Sequence, residues 1–252
     1  QVVEQLEAEF TKEVINTVIK TCERNKALGH DGFNMTFFKK CWKIVNSNVL
    51  QFMREFHQNA SFVGGINSSF ISLIPKNDSP SCLDEYRTIS LIGSMYKILA
   101  KVLSNRIKKV MPKIISEVQL AFLGGQNILD RILIANEIVD GWKRSNNKGL
   151  VLELDFEKAY DSINWEFLFN MLLNFGFSSR WVSWMIACVS SAKISILVIG
   201  SPTSEFCPQR GHRQGDPLSL FFFNIVAEGL NILLSRAMEL NLMTRHMWGN
   251  TA

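Results

Sequence analysis

The run G-L-V-L-E-L-D-F, residues 149–156, constrains this chain more than any other stretch. Period-two alternation puts Leu150, Leu152, Leu154 and Phe156 on one face and Val151, Glu153 and Asp155 on the other, the pattern of a strand with one face in a core. Directly before it lies S-N-N-K-G, the clearest internal linker signal; after it, Asn164 is placed to cap a helix through Asn174, with Gly176 as its stop. The stripe of that helix is Phe167, Leu168, Met171, Leu172 and Phe175. A carboxylate at the exit of an apolar strand is costly to bury alone, so Asp155 is solvated, salt-bridged or holding a cation. Asp161 reads as a helix-approach cap or a local hydrogen-bond acceptor.

The other elements place this strand in an α+β chain. Thr11 is set to cap a helix with Val14, Ile15, Val18 and Ile19 on one face, and K-A-L-G-H-D-G then signals a turn. Asn34 caps a second helical stretch whose stripe runs through Phe37, Phe38, Cys41, Trp42, Val45, Val49, Phe52 and Met53, with a break near Asn46 to Asn48. F-I-S-L-I-P-K reads as a short strand closed by Pro75, and Y-R-T-I-S-L-I as another. After Gly93 comes an amphipathic helix with Met95, Ile98, Leu99, Val102, Leu103 and Val110 on one side and Lys97, Lys101, Lys108 and Lys109 largely elsewhere. Helices follow over about Ile128 to Lys143 and Arg180 to Cys188. K-I-S-I-L-V-I-G-S-P-T-S-E-F-C gives two strands about a Gly-Ser-Pro turn. Asp216 as N-cap and Pro217 at the first helical position then open a long helix to about Glu239.

With 252 residues, 47% hydrophobic and 20% charged, the chain is a folded protein rather than a disordered one, one domain with lobes. Its net charge is only +4, but from Lys76 to Lys113 eight basic residues face three acids. That segment is either a solvated helix face or the seat of an anionic ligand. The five cysteines form no C-x-x-C pair and complete no zinc spacing with the four histidines, which reads as reduced thiols inside a cell. The run from Leu218 to Leu234 carries Asn224, Glu228 and Asn231, and so reads as a core helix rather than a membrane span. No signal peptide is visible, and a start at Gln1 suggests a piece of something longer.

Two cationic groups complete the chemistry. R-G-H-R-Q-G-D-P sets two arginines and two glycines before a helix N-terminus, either an anion-binding turn or a capped helix with solvated arginines. Lys76 and Arg87 are a triphosphate clamp or ordinary surface charge. Joined to the strand-end carboxylate, these are the parts of a phosphoryl-transfer machine: metal on carboxylates, cations on a triphosphate, and a basic path for nucleic acid.

From about Lys26 to about Arg236 the chain resembles the reverse-transcriptase domain of non-LTR (LINE-type) retrotransposons, in a plant-like flavour. The resemblance rests on motifs in the family's order: K-A-L-G-H-D-G-F, L-I-P-K, Y-R-T-I-S-L-I-G-S-M-Y-K-I-L-A-K-V-L-S-N-R-I, Q-L-A-F-L-G-G-Q-N-I-L-D, L-D-F-E-K-A-Y-D-S-I-N-W and R-Q-G-D-P-L-S. It implies a right-hand polymerase fold: an N-terminal extension and fingers over about 1–148, an incomplete palm over about 149–252, and no thumb. It implies RNA-directed DNA synthesis by two-metal chemistry on an RNA template, a DNA primer and a dNTP, with two Mg²⁺ ions or Mn²⁺ in their place. By the same carry-over Asp155 is the catalytic metal ligand, Tyr160 the gate against a 2′-hydroxyl, and Arg87 and Lys76 triphosphate contacts. Gln214 and Gly215 meet the sugar and base pair, with Arg213 close by. Apart from the resemblance, Lys97, Lys101 and Lys108 of the basic Lys76 to Lys113 surface are the candidates to hold nucleic acid. The implied location is inside the cell, in nucleus and cytoplasm, with no membrane role and an oligomeric state left open.

The departures are Leu28, His30, Thr88 and Leu220, where the family usually has Pro, and Gln126, where it has Arg. No Asp-Asp pair occurs in the sequence, and the family's aromatic-Ala-Asp-Asp motif is expected beyond Ala252. On that ground the fragment is expected to be inactive. The alternative is a non-catalytic nucleic-acid-binding remnant that uses the Lys76 to Lys113 surface.

Overall fold

Four side-chain caps among the described residues, Thr11, Asn34, Asn164 and Ser178, shape the helical framework much as their local chemistry dictates. In the computed structural model, which describes residues 2–23, 27–116, 128–145 and 159–242, helix α1 (Val2–Glu7) precedes α2 (Lys12–Thr21). The expected strand over 149–156, its Asp155, most of the linker before it and Gln126 lie outside the described residues. Thr11 Oγ1 accepts from the Val14 N–H at 3.4 Å, and Ile15, Val18 and Ile19 are buried. Val14 is 38% exposed, carried to the rim of the buried stripe.

Asn34 Oδ1 accepts from Phe37 N–H at 3.1 Å to open α3 (Met35–Lys40). The break after it falls at Cys41, not at Asn46 to Asn48, and α4 runs unbroken over Trp42–Asn59. Asn46 stays helical because its Nδ2 donates to the carbonyls of Trp42 and Lys43, both at 2.8 Å.

The sheet has the order β2-β1-β3-β4. Strands β1 (Ser68–Pro75) and β2 (Tyr86–Ile92) pair antiparallel from Ser69↔Ile92 to Pro75↔Tyr86, with a short 3₁₀ turn at Leu83–Glu85 in the connection. β3 (Lys193–Val198) lies parallel to β1, from Ser68↔Lys193 to Ile71↔Ile196, so the sheet draws strands from both sides of residue 149. β4 is only Ser201–Pro202. The turn before it is Ile199–Gly200, with φ of +51° and +79°, rather than Gly-Ser-Pro. Two successive positive φ values make the primed hairpin turn that suits twisted strands.

Helix α5 (Ser94–Ile107) buries Ile98, Leu99, Val102, Leu103 and Ile107. Its N-cap, Gly93, has no side chain to offer; Asp31 reaches in instead, and its Oδ2 accepts from Ser94 N–H at 2.5 Å. Ser94 Oγ returns a bond to the Phe33 carbonyl at 2.8 Å. This needs the loop close to β2, and Gly29 permits it: a Cβ there would sit 2.4 Å from the Ile92 carbonyl oxygen. The K-A-L-G-H-D-G segment is thus a remote cap as well as a turn.

Past α5 come α6 (Met111–Ile114) and α7 (Ile128–Ser145). Asn164 Oδ1, accepting from Phe167 N–H at 2.9 Å, opens α8 (Trp165–Asn174), which Gly176 ends at φ +84°. In α8, Leu168, Met171 and Leu172 are buried, while Phe167 is exposed on the flank. Helix α9 (Ser179–Ser190) contributes Trp181, Trp184 and Met185, and α10 (Ser219–Glu239) contributes Phe221, Phe222 and Ile225, to one apolar cluster that begins with Leu6. Among the described residues α10 is the helix long and apolar enough to cross a bilayer, and its N-terminal half is packed in this cluster.

If Asp31 is the working cap of α5, Asp31→Ala costs about 1 kcal/mol. Thermal unfolding followed by circular dichroism should then show a midpoint lower by roughly 2–4 °C. An unchanged midpoint would remove Asp31 from that role.

Candidate active site

The segment between β4 and α10 is organised by a buried cation. Arg213 is 6% exposed, and its Nη2 donates to Asp216 Oδ2 at 3.0 Å while Nη1 donates to the Asn67 carbonyl at 3.0 Å. Its guanidinium lies 4.4 Å from the centroid of the Tyr96 ring on α5. Asn67 in turn donates from Nδ2 to the Cys188 carbonyl at 2.9 Å and to Ser191 Oγ at 2.8 Å, tying β1 to the end of α9.

This corrects two expectations. Asp216 is not the N-cap of the long helix, because its carboxylate neutralises Arg213; Oδ1 accepts from Leu218 N–H at 3.0 Å, and α10 starts at Ser219. Arg213 is not solvated: it is buried, and Nη1 and Nη2 each donate a hydrogen bond inside the protein. Arg210, the other arginine of the turn, is exposed.

The same segment is zipped to the turn before α8. Gly211 N–H donates to the Ile163 carbonyl at 2.8 Å, and His212 N–H to the Tyr160 carbonyl at 2.7 Å. Trp165 Nε1 donates back to the Gly211 carbonyl at 2.7 Å. Gly211 has φ +77°, and a Cβ on it would lie 2.4 Å from the Asp161 carbonyl oxygen, so glycine is required twice over. His212 is buried, with Nδ1 2.5 Å from Ser219 Oγ. That hydroxyl donates to the Arg213 carbonyl at 2.8 Å, which leaves it to accept from His212 and assigns the proton to Nδ1.

With both turns fixed, Lys76, Arg87, Tyr160 and Gln214 line one cavity of about 450 Å³, together with Asp84, Thr88 and Asp161. Lys76 Nζ donates to the Asp84 carbonyl at 2.7 Å across the β1–β2 connection. The Tyr160 ring meets Phe223 of α10 edge-on, centroids 5.9 Å apart, and Ser90 N–H on β2 holds the Gln214 carbonyl at 3.3 Å.

Gly215, φ +96°, lines a different cavity of about 220 Å³ with Lys97, Lys101, Asn34, Ser94 and Glu23. Lys97 Nζ donates to the Ala27 carbonyl at 3.3 Å. Lys108, on the same helical stripe by spacing, is exposed at the C-cap of α5 and lines neither cavity. The consecutive residues Gln214 and Gly215 therefore separate a cavity with Lys76 and Arg87 from one with Lys97 and Lys101.

Among the described residues, no three His, Cys, Asp or Glu side chains gather as a metal-binding group, and Asp155 lies outside them. Asp84 and Asp161 line the larger cavity, and two acidic residues by themselves do not make a site for a divalent ion. Reasoning from residue types alone missed Asn67, Tyr96, His212 and Trp165. Tyr96 and Trp165 stand within quoted motifs, S-M-Y-K and S-I-N-W, that gave neither a role, but the glycine of R-G-H-R was already marked for close backbone approach.

Burial pushes the His212 imidazole down to about 4, against the weaker opposing pull of Asp216. The folded state therefore resists a proton that the unfolded chain takes up near its ordinary value. The stability so contributed is present above about pH 6.5 and is lost as pH falls toward 4. Urea midpoints at pH 7 and pH 5 should differ more for the native chain than for His212→Asn, and an equal difference would exclude His212 as the source.

The reverse transcriptase (RNA-dependent DNA polymerase) family matches residues 74–244, more than half of the chain. The transposon TX1 uncharacterized 149 kDa protein of Xenopus laevis is 26% identical over 233 residues, 92% of this chain and 18% of that protein. The retrovirus-related Pol polyprotein from type-1 retrotransposable element R2 of Popillia japonica is 25% identical over 160 residues, 63% of this chain and 22% of the relative. The corresponding polyprotein from type-2 retrotransposable element R2DM of Drosophila melanogaster is 26% identical over 160 residues, 62% of this chain and 15% of its own length. The chain thus spans about a fifth of the length of these relatives. Reverse transcriptases act with divalent metal ions on a nucleic-acid template and primer and on dNTPs. A chain with these motifs, this match and these relatives belongs to the reverse transcriptase family, as a domain of the non-LTR, LINE-type kind.

Proposed function

We propose that the chain forms the nucleotide-binding part of an RNA-directed DNA polymerase, copying an RNA template by extending a DNA primer with dNTPs. The observation that carries this reading is the convergence of Lys76, Arg87, Tyr160 and Gln214 on one cavity. Two cations on the wall suit a triphosphate, and an aromatic ring and a glutamine on the same wall suit a sugar and base pair. In this reading β1, β2 and α5 belong to the fingers of a right-hand polymerase, within about 1–148, and the segments after residue 149 to its palm. Asp155 is the carboxylate for Mg²⁺, with Mn²⁺ as substitute; the metal, when bound, supplies charge on the triphosphate and activates the primer hydroxyl. The polymerase works inside the cell, in nucleus and cytoplasm.

The test is equilibrium binding of a fluorescent dNTP in the presence of Mg²⁺. Lys76→Ala and Arg87→Ala should each weaken it by roughly tenfold, the worth of one charge-assisted contact. Affinity indifferent to both substitutions would remove the triphosphate from this cavity.

A second reading, retention of nucleic acid without chemistry, is favoured by Lys97 and Lys101 lining their own cavity beside Gly215. Single-stranded RNA binding should then survive Asp155→Asn. Neutralising Lys97, Lys101 and Lys108 together should flatten the slope of log affinity against log salt by about 2, at roughly 0.7 per lost phosphate contact. An unaltered slope would leave the lysines without a strand to hold.

A further inference from the structure

Resting on the assignment of Tyr160 as the sugar gate, we infer that Gly211 and Trp165 are specificity-determining positioning residues. They set how far the Tyr160 ring enters the nucleotide cavity, and so govern discrimination between deoxyribose and ribose. The ring has two supports. One is lateral, the edge-on contact with Phe223. The other is the backbone of its own turn, held through the His212 N–H on the Tyr160 carbonyl and the Gly211 N–H on the Ile163 carbonyl.

Gly211 uses both of its backbone groups on the facing turn and its helix: its N–H reaches Ile163, and its carbonyl takes the Trp165 indole N–H at 2.7 Å. The turns approach so closely that a Cβ at Gly211 would lie 2.4 Å from the Asp161 carbonyl oxygen and 2.8 Å from its Cα. Asp161 directly follows Tyr160, so a displacement there is passed to the ring. A gate that rejects one hydroxyl works over an ångström-scale gap, and a misplacement of about 1 Å is enough to spoil a positioned group. Neither Gly211 nor Trp165 need touch the nucleotide to act. Trp165 lines neither that cavity nor the one beside Gly215.

The experiment compares the affinities of dGTP and GTP, with Mg²⁺, for the whole chain and three variants. Tyr160→Ala should abolish the preference for dGTP. Trp165→Phe keeps an aromatic ring and removes the indole N–H; it should narrow the dGTP/GTP ratio by about three- to tenfold, the worth of one hydrogen bond. Gly211→Ala should narrow it further, and a thermal melt identifies any loss of fold. If Tyr160→Ala abolishes the preference and Trp165→Phe leaves the ratio at its native value, or weakens both nucleotides equally, this inference fails and the gate stands. If Tyr160→Ala leaves the ratio unchanged, or the native chain binds neither nucleotide, the gate itself fails and the inference falls with it.

Discussion

Arg213 is a full positive charge with almost no access to water, and such a charge holds its place only if several partners compensate for lost hydration. It finds them on four elements: Asp216 before α10, the Asn67 carbonyl at the start of β1, the Tyr96 face on α5 and, through Asn67, the end of α9. Each partner comes from a different part of the chain, so satisfying the charge fixes how those parts meet. The residues that follow, Gln214 and Gly215, inherit that fixed position and divide two cavities whose nearest cations belong to different elements. Burial also drives the neighbouring Cys188 thiol and Tyr96 hydroxyl upward from their ordinary values, so both stay protonated and the cluster holds one cation against one carboxylate.

How much of this was legible beforehand depended on how local each interaction is. Thr11, Asn34 and Asn164 cap within three residues of themselves, and reading them from residue type succeeded. Asp216 has the same local signature, but its carboxylate answers a demand set by a buried arginine, which no spacing reveals. Asn46 looked like a break and is a helical residue bonded back to its own preceding turn. Cys41 carried no signal of the break it makes, and β4 is shorter than its apolar pattern suggested.

The candidate site was legible as a set of motifs in order, and the meeting of Lys76, Arg87, Tyr160 and Gln214 follows that order. What could not be read was the machinery that aligns them: the parallel register of β1 on β3, the close pass of Gly211 over Asp161, and the remote cap from Asp31. The lysine stripe shows the same limit from the other side. Lys97, Lys101 and Lys108 share a helix face by spacing, yet two line a cavity and the third stands in the open. Spacing defines a face; the neighbouring elements decide what the face meets.

The bond from Arg213 to Asn67 closes a span of 146 residues, and β3 must reach β1 across nearly as much chain. At roughly 5–20 residues per second, synthesis leaves the β1–β2 hairpin waiting on the order of ten seconds for the strand and arginine that complete its sheet. In that interval one edge of β1 offers unpaired backbone groups to whatever is near, including the same hairpin on a neighbouring nascent chain. The geometry that places two cations beside a tyrosine thus gives the molecule a vulnerable infancy, and polysome spacing on its messenger becomes a physical variable in how much of it folds.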